Sequence, residues 1–273
     1  MSKRPRRPAL RGQTIALVGA GGLARALVPA LRGAGARVVI AVRAAFAADA
    51  AAAVGGASSV ILCVPDDALA DVARALARCG PGRGRRVLHA SGFAGLRPLA
   101  PLARAGWKTG WMHPLLPLPR TGRTARRFEG AWFASGGSAR PLVRALGGRE
   151  LALRAGRQAD YHLAATLVSN GSLALFELAR AHLERAATNR KHARTAFAEL
   201  LAATAANLAQ SDPREALTGP IARGDLASVR GHLAHLRDSE ERELYRALGR
   251  VLLGLAAPRL EPARRRELRA LLG

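Results

Sequence analysis

The sequence predicts an α/β N-terminal half, built on a mostly parallel sheet with helices on both faces, followed by an all-α C-terminal half. Three observations predict it. Short β-branched runs alternate with Ala/Leu-rich helical stretches over about the first 150 residues. The first such run leads through a glycine loop straight into a helix. From about Leu151 the alternation stops and helical patterning continues alone. The boundaries are a basic, Pro-containing tail over 1–12, expected to be disordered, an α/β domain over 13–150 and a helical domain over 151–273.

The elements follow in order. Thr14 to Val18 is a short buried strand, and Gly22 to Arg32 a helix broken by Gly33-Ala-Gly35. Arg37 to Val42 is a second strand. Ala44 to Val54 is so rich in alanine that one helix is expected. Ser59 to Val64 is a strand stopped by Pro65. Asp66 to Arg78 is a helix that Asp66 or Asp67 can cap. Arg86 to Ala90 is a strand, Leu96 to Ala105 a helix, and Lys108 to Met112 and Gly130 to Ala134 further strands. The second half reads as helices over 158–185, 189–210, 226–237, 239–255 and 262–272, with Asp238 and Glu241 placed for a capping box.

Composition narrows the classes. At 49% hydrophobic residues the chain can bury real cores, so wholesale disorder is excluded. Two cysteines, Cys63 and Cys79, in different elements form neither a disulfide framework nor a metal cluster, and point to a reducing, cytoplasmic setting. No apolar run reaches the ~18 residues of a membrane span. The net charge of +24 raises nucleic acid as a partner, but the arginines are scattered and no aromatic-interleaved stripe accompanies them. Weak, salt-sensitive polyanion binding is the most that charge predicts.

The first strand runs into Gly19-Ala20-Gly21-Gly22-Leu23-Ala24 and then a helix. This is the G-x-G-x-x-A pattern of a dinucleotide site in a Rossmann fold. Gly19 allows the turn, Gly21 admits a pyrophosphate, and Ala24 lets helix and strand pack closely. The bland alternatives are a simple glycine turn or a Rossmann fold that has lost its ligand. At the end of the second strand an NAD enzyme places an acid for the ribose 2′-hydroxyl. This chain has Arg43 there, with no acid before Asp49, which favours NADP over NAD. Arg25 is a weaker phosphate candidate.

The run Val60-Ile-Leu-Cys-Val-Pro-Asp-Asp67, then His89-Ala-Ser-Gly92 and His113-Pro-Leu115, resembles the Rossmann-like family whose C-terminal region is catalogued as domain of unknown function 2520. Tyr161-His-Leu-Ala-Ala165, Ser169-Asn170, and Leu217-Thr-Gly-Pro-Ile-Ala-Arg-Gly-Asp225 with His232 beyond are similar to that family's segments. The resemblance spans about 13–255. It implies an NAD(P)-binding domain, with Val64, Pro65 and Asp66 beside the cofactor. It also implies a helical domain of the 6-phosphogluconate dehydrogenase C-terminal type, which in that superfamily pairs subunits into a homodimer. Some members of the family are believed to be ketopantoate reductases.

The helix from Gln158 is expected to be buried on nearly all faces, yet His162, Thr166, Ser169 and Asn170 share one side. Such a stripe forms an internal network or lines a pocket. In the resembled superfamily this helix carries K-x-x-x-N facing nicotinamide and substrate. Asn170 matches the Asn, while Thr166 stands where the lysine would. His113, at a strand end before Pro114, is the best replacement proton donor or polarising group, against a structural turn histidine. His162 is a weaker candidate. Ser91 follows a sheet strand on the cofactor side and can hydrogen-bond substrate. Arg223 suits a substrate carboxylate, although Thr218-Gly219-Pro220 also reads as a plain turn and Asp225 as the next helix cap. His182, His192 and His235 are expected on helix surfaces.

Together these predict NADP-dependent reduction of a small, carboxylated carbonyl or imine compound in a cleft between the domains. A cofactor-binding sensor or scaffold without turnover is the alternative, and an Arg-rich polyanion-binding protein the third.

Overall fold

The computed structural model describes residues 9–118 and 128–273. The elements are β1 (Thr14–Val18), α1 (Gly22–Gly33), β2 (Arg37–Ala41), α2 (Arg43–Ala48), α3 (Ala50–Val54), β3 (Ser59–Leu62), α4 (Leu69–Arg78), β4 (Arg86–His89), α5 (Ala100–Arg104) and β5 (Lys108–Pro114). Then come β6 (Trp132–Gly137), α6 (Arg140–Ala145), β7 (Arg149–Ala152), α7 (Gln158–Ala186), α8 (Arg190–Leu208), α9 (Pro213–Ala216), α10 (Pro220–Arg223), α11 (Leu226–His235), α12 (Ser239–Ala256) and α13 (Pro262–Leu272). Contacts divide the chain into two compact units, Met1–Leu175 and Phe176–Gly273. The expected change at 150/151 marks where alternation ends; the division by contacts falls inside α7.

The first unit holds one seven-stranded sheet in the order β2-β1-β3-β4-β5-β6-β7. β1 pairs in parallel with β2 and β3, β3 with β4, and β4 with β5; only β5 and β6 run antiparallel, and β7 adds to β6 in parallel. The sheet is therefore mostly parallel, a Rossmann-type α/β layer as the sequence implied. Strand alternation divides its core between the two faces. Ile15 and Leu17 pack with Leu27 and Leu31 of α1 and with Phe128 and Phe133. Ala16 and Val18 pack on the opposite face with Leu69 and Leu76 of α4 and with Trp107. Truncating a ring such as fully buried Phe133 to Ala would cost roughly 3–5 kcal/mol. The connection from β1 goes outward to β2 and then back across β1 to β3. The carboxyl ends of β1 and β3 thus form a topological switch point, where open α/β sheets hold ligands.

Several expectations are corrected. Of the expected tail, residues 1–8 lie outside the described residues. Leu10 is buried, and its N–H bonds Ala34 O at 2.9 Å, because a leucine there completes the core beside α1. The single helix expected over 44–54 is two, since Asp49 is extended and caps α3 by accepting from Ala52 N–H at 2.9 Å. Neither Asp66 nor Asp67 caps a helix; a 3₁₀ turn intervenes before α4. The expected capping box reduces to its forward half, Asp238 accepting from the N–H groups of Glu240 and Glu241. β7 and α6 lacked a periodic signal.

In the second unit Ile221, Leu226, Val229, Leu253, Leu268 and Leu272 form a small core drawn from α10 to α13. Asp225 caps α11 through Ser228 N–H at 3.0 Å, as the turn-and-cap reading expects. α8 buries only Ala193, and α7, expected to be buried on nearly all faces, buries no residue. Among the described residues no helix is long and apolar enough to cross a membrane.

Candidate active site

The glycine loop occupies the switch point. Gly19 has φ +106°, and a Cβ there would stand 2.4 Å from Cys63 O at the exit of β3. Conformation and close approach both require glycine. A Cβ on Gly21 would meet nothing within 4 Å, so that flank of the loop is open. Gly21 is the N-cap of α1, which has no side-chain cap and no acid in its first turn. The first intrahelical bond runs from Arg25 N–H to Gly21 O at 3.1 Å. The N–H groups of Gly22, Leu23 and Ala24 are left at a positive dipole end, a ready anion site. Arg25 Nη1 donates to Ala20 O at 3.0 Å, so this side chain braces the loop. Arg43 is exposed at the start of α2, directly beyond β2. Asp49 is occupied as a helix cap, so it is not a free acid for a ribose hydroxyl.

The next three strands bring Asp66, Ser91 and His113 to the same end of the sheet. Ser91 Oγ donates to Asp66 Oδ2 at 2.6 Å and accepts from the N–H groups of Phe93 and Ala94. The hydroxyl proton expected for substrate is therefore engaged by Asp66. His89 is fully buried in β4; its Nε2 bonds Gly95 O at 2.5 Å and its Nδ1 accepts from Ser91 N–H at 3.1 Å. Burial lowers the His89 pKa, and its role is to hold the loop after β4. That loop presses on His113: a Cβ on Gly92 would lie 3.0 Å from His113 Cγ and 3.0 Å from His162 Cδ2.

His113 Nδ1 and Tyr161 Oη are 2.6 Å apart, and the His113 ring lies edge-on to both Tyr161 and His162 at centroid distances of 5.6 and 6.0 Å. Burial, followed by His162, lowers the His113 pKa, with Asp66 opposing. Burial pushes the Tyr161 phenol up to about 12. Both groups are neutral at physiological pH.

These rings border a cavity of about 800 Å³, within the usual size range for small-molecule sites. Its wall comes from Pro114 at the end of β5, Leu115, Leu116 and Pro117 just after it, Leu151 of β7, and Tyr161, Ala164, Ala165 and Val168 of α7. His113, His162, Thr166, Ser169 and Asn170 supply the remaining polar groups. Every lining residue belongs to the first unit. The polar stripe of α7 thus faces a cavity, with Thr166 within it.

Of the candidates, His113, His162, Thr166 and Asn170 meet in this cavity, whereas Ser91 does not line it. Val64, Pro65 and Asp66 follow β3 at the switch point. Arg223 ends α10 in the second unit and is exposed. His182 is not a plain surface residue: it bonds Arg185 at 2.8 Å and lies 3.4 Å from Glu241. Sequence reasoning named Tyr161 and Gly92 only within family segments and gave neither a role in the site. The signal for Tyr161 was its place beside His162 at the start of the polar face.

Residues 134–252 match the model of the family described as Domain of unknown function (DUF2520). The match bears out the resemblance read from the sequence. No curated protein matches the chain by sequence. Among solved structures, a Bacteroides fragilis protein classed as a candidate NADP oxidoreductase is 23% identical with TM-score 0.71, over 89% of this chain and 98% of that one. A Thermotoga maritima protein is 21% identical with TM-score 0.64, over 90% and 99%. Pyrroline carboxylate reductase from Plasmodium falciparum with NADP bound is 11% identical with TM-score 0.56, over 97% and 100%. At these identities the likeness concerns the fold.

Proposed function

We propose that the protein is an NADP-dependent oxidoreductase that reduces a small carbonyl or imine compound in the cavity bordered by His113 and α7. The observation that carries this reading is the convergence, at the carboxyl end of one sheet, of an open, uncapped glycine loop and a largely apolar cavity edged by polar groups of His113 and α7. The NADP-bound reductase of similar fold supports the cofactor. Gly19, Gly21 and the first N–H groups of α1 would hold the diphosphate, Ala20, Gly22, Leu23 and Ala24 would complete the loop, and Arg43 would meet a 2′-phosphate. When bound, NADPH supplies the hydride.

The chain's own residues polarise and orient. His113, neutral through burial, offers an N–H to a carbonyl oxygen or imine nitrogen; Asn170, Thr166 and His162 hold the substrate's other polar groups. A neutral imidazole donor takes the place of the missing lysine ammonium. Among the described residues no Lys or Arg lines the cavity, so a substrate carboxylate would draw its cation from elsewhere. The same reading includes a homodimer formed through the helices. Binding without turnover is the second reading, favoured by Thr166 at the lysine position.

The test is a screen of ketones, 2-oxo acids and cyclic imines with NADPH, followed by cofactor absorbance. His113→Ala and Asn170→Ala should each lower kcat about a hundredfold, the usual cost of losing one such donor, and leave NADPH binding within about twofold. His192, exposed on α8, is the control, since His182 is bonded. Cofactor binding with no turnover on any substrate would favour the second reading. Wild-type rates in both variants would remove the cavity assignment.

A further inference from the structure

We propose that Tyr161 is a positioning residue that fixes the tautomer of His113, donating its hydroxyl to Nδ1 so that the catalytic N–H sits on Nε2. The role rests on the reductase reading; the tautomer itself does not. The geometry is a 2.6 Å contact between Tyr161 Oη and His113 Nδ1. Two assignments of the proton are open to such a pair. A phenol is a better donor than acceptor, and a neutral imidazole nitrogen is a better acceptor than a phenol oxygen. With Nδ1 as donor, the Tyr161 hydroxyl proton would have no acceptor among the described residues; with Tyr161 as donor, both groups are used. The proton of a neutral His113 then lies on Nε2, which takes no partner among the described residues.

The ring is also held mechanically. Gly92 packs on the Cγ–Nδ1 edge so closely that a Cβ would approach Nδ1 to 3.1 Å, and Tyr161 stands edge-on at 5.6 Å. The contacts therefore engage the proximal edge of the ring and leave the distal nitrogen for the cavity that His113 lines. The groups acting on the imidazole charge are Tyr161 from α7, His162 from the same helix, and Asp66 from the end of β3. A donor at Nδ1 stabilises the neutral ring, so its removal raises the His113 pKa.

Two-bond proton–nitrogen correlation spectra of histidine-labelled full-length protein, without cofactor, test this directly. The chain has seven histidines, and the His113 signal is the one lost in His113→Gln. The wild type should show an unprotonated Nδ1 and a protonated Nε2 across neutral pH. Tyr161→Phe keeps the ring packing and should give a tautomer mixture that titrates at higher pH. In turnover it should lower kcat more than it changes KM, with the acid limb moved upward. A wild-type His113 protonated at Nδ1 overturns the proposal, and this needs no variant. An unchanged tautomer and titration in Tyr161→Phe overturns it as well. If the tautomer is as stated and no substrate turns over, the reductase reading fails and the positioning by Tyr161 stands.

Discussion

The sheet and the two long helices treat apolar residues in opposite ways. β1, β3 and β4 bury nearly every side chain, with Ile15, Leu17, Ile61 and Leu88 at 0% exposure. Helix α7 buries no residue, and Leu163, Leu167, Val168 and Leu173 on it stand 59–75% exposed. Burying one such side chain is worth roughly 1.5–3 kcal/mol, so these four alone hold a large driving force for association. The sheet finds its partners within the chain. The helices carry apolar surface that a second copy would cover, and this underlies the proposed homodimer. The contrast separates substitutions that unfold the molecule from those that would only part the proposed dimer.

The largest effect should come from the crowded end of the sheet. Gly19→Val places a branched side chain at positive φ and against Cys63 O, so strain and overpacking together should cost about 3–5 kcal/mol. A denaturant midpoint equal to wild type would refute the packing described. His89→Ala comes next, at roughly 2–4 kcal/mol, because it opens a void and orphans Gly95 O and Ser91 N–H. A loss below about 0.5 kcal/mol would mean those groups find water instead.

Leu167→Glu should leave the sheet's stability unchanged while halving the mass in light scattering at micromolar concentration and moderate salt. A monomer mass for the wild type would contradict the homodimer. The smallest effect is on pH. His89 and His113 have lowered pKa values in the folded chain, mainly through burial. The unfolded chain therefore binds protons first, and stability present above about pH 6.5 is lost as pH falls below it. Denaturation between pH 7.5 and 5 should show that decline; a flat profile would indicate that both rings protonate freely.

Much of this was legible in the sequence, for physical reasons that differ by element. β1, β2 and β3 announce themselves through apolar runs rich in β-branched residues, β1 closed by Gly19 and β3 followed by Pro65. β7 does not: Arg149-Glu150-Leu151-Ala152 is an edge strand exposed at every position, so no alternation marks it. The break at Asp49 hides in alanine-rich sequence, because capping depends on backbone geometry rather than composition. The shared face of His162, Thr166, Ser169 and Asn170 follows from helical spacing. Its helix's exposure does not, since periodicity cannot say what covers a face. The binding of Ser91 by Asp66 and the pairing of His113 with Tyr161 join residues 25 and 48 positions apart, beyond any local signal.

The central claim is that the open glycine loop and Arg43 together hold NADP. Titration of the wild type with NADPH and NADH, followed by nicotinamide fluorescence, tests it most directly. NADPH should bind about tenfold tighter than NADH, ~1.4 kcal/mol, and both should be lost in Gly21→Val, whose side chain would fill the space open beside the loop. Equal or reversed affinities would contradict the role of Arg43, and unchanged binding in Gly21→Val would contradict the cofactor site itself.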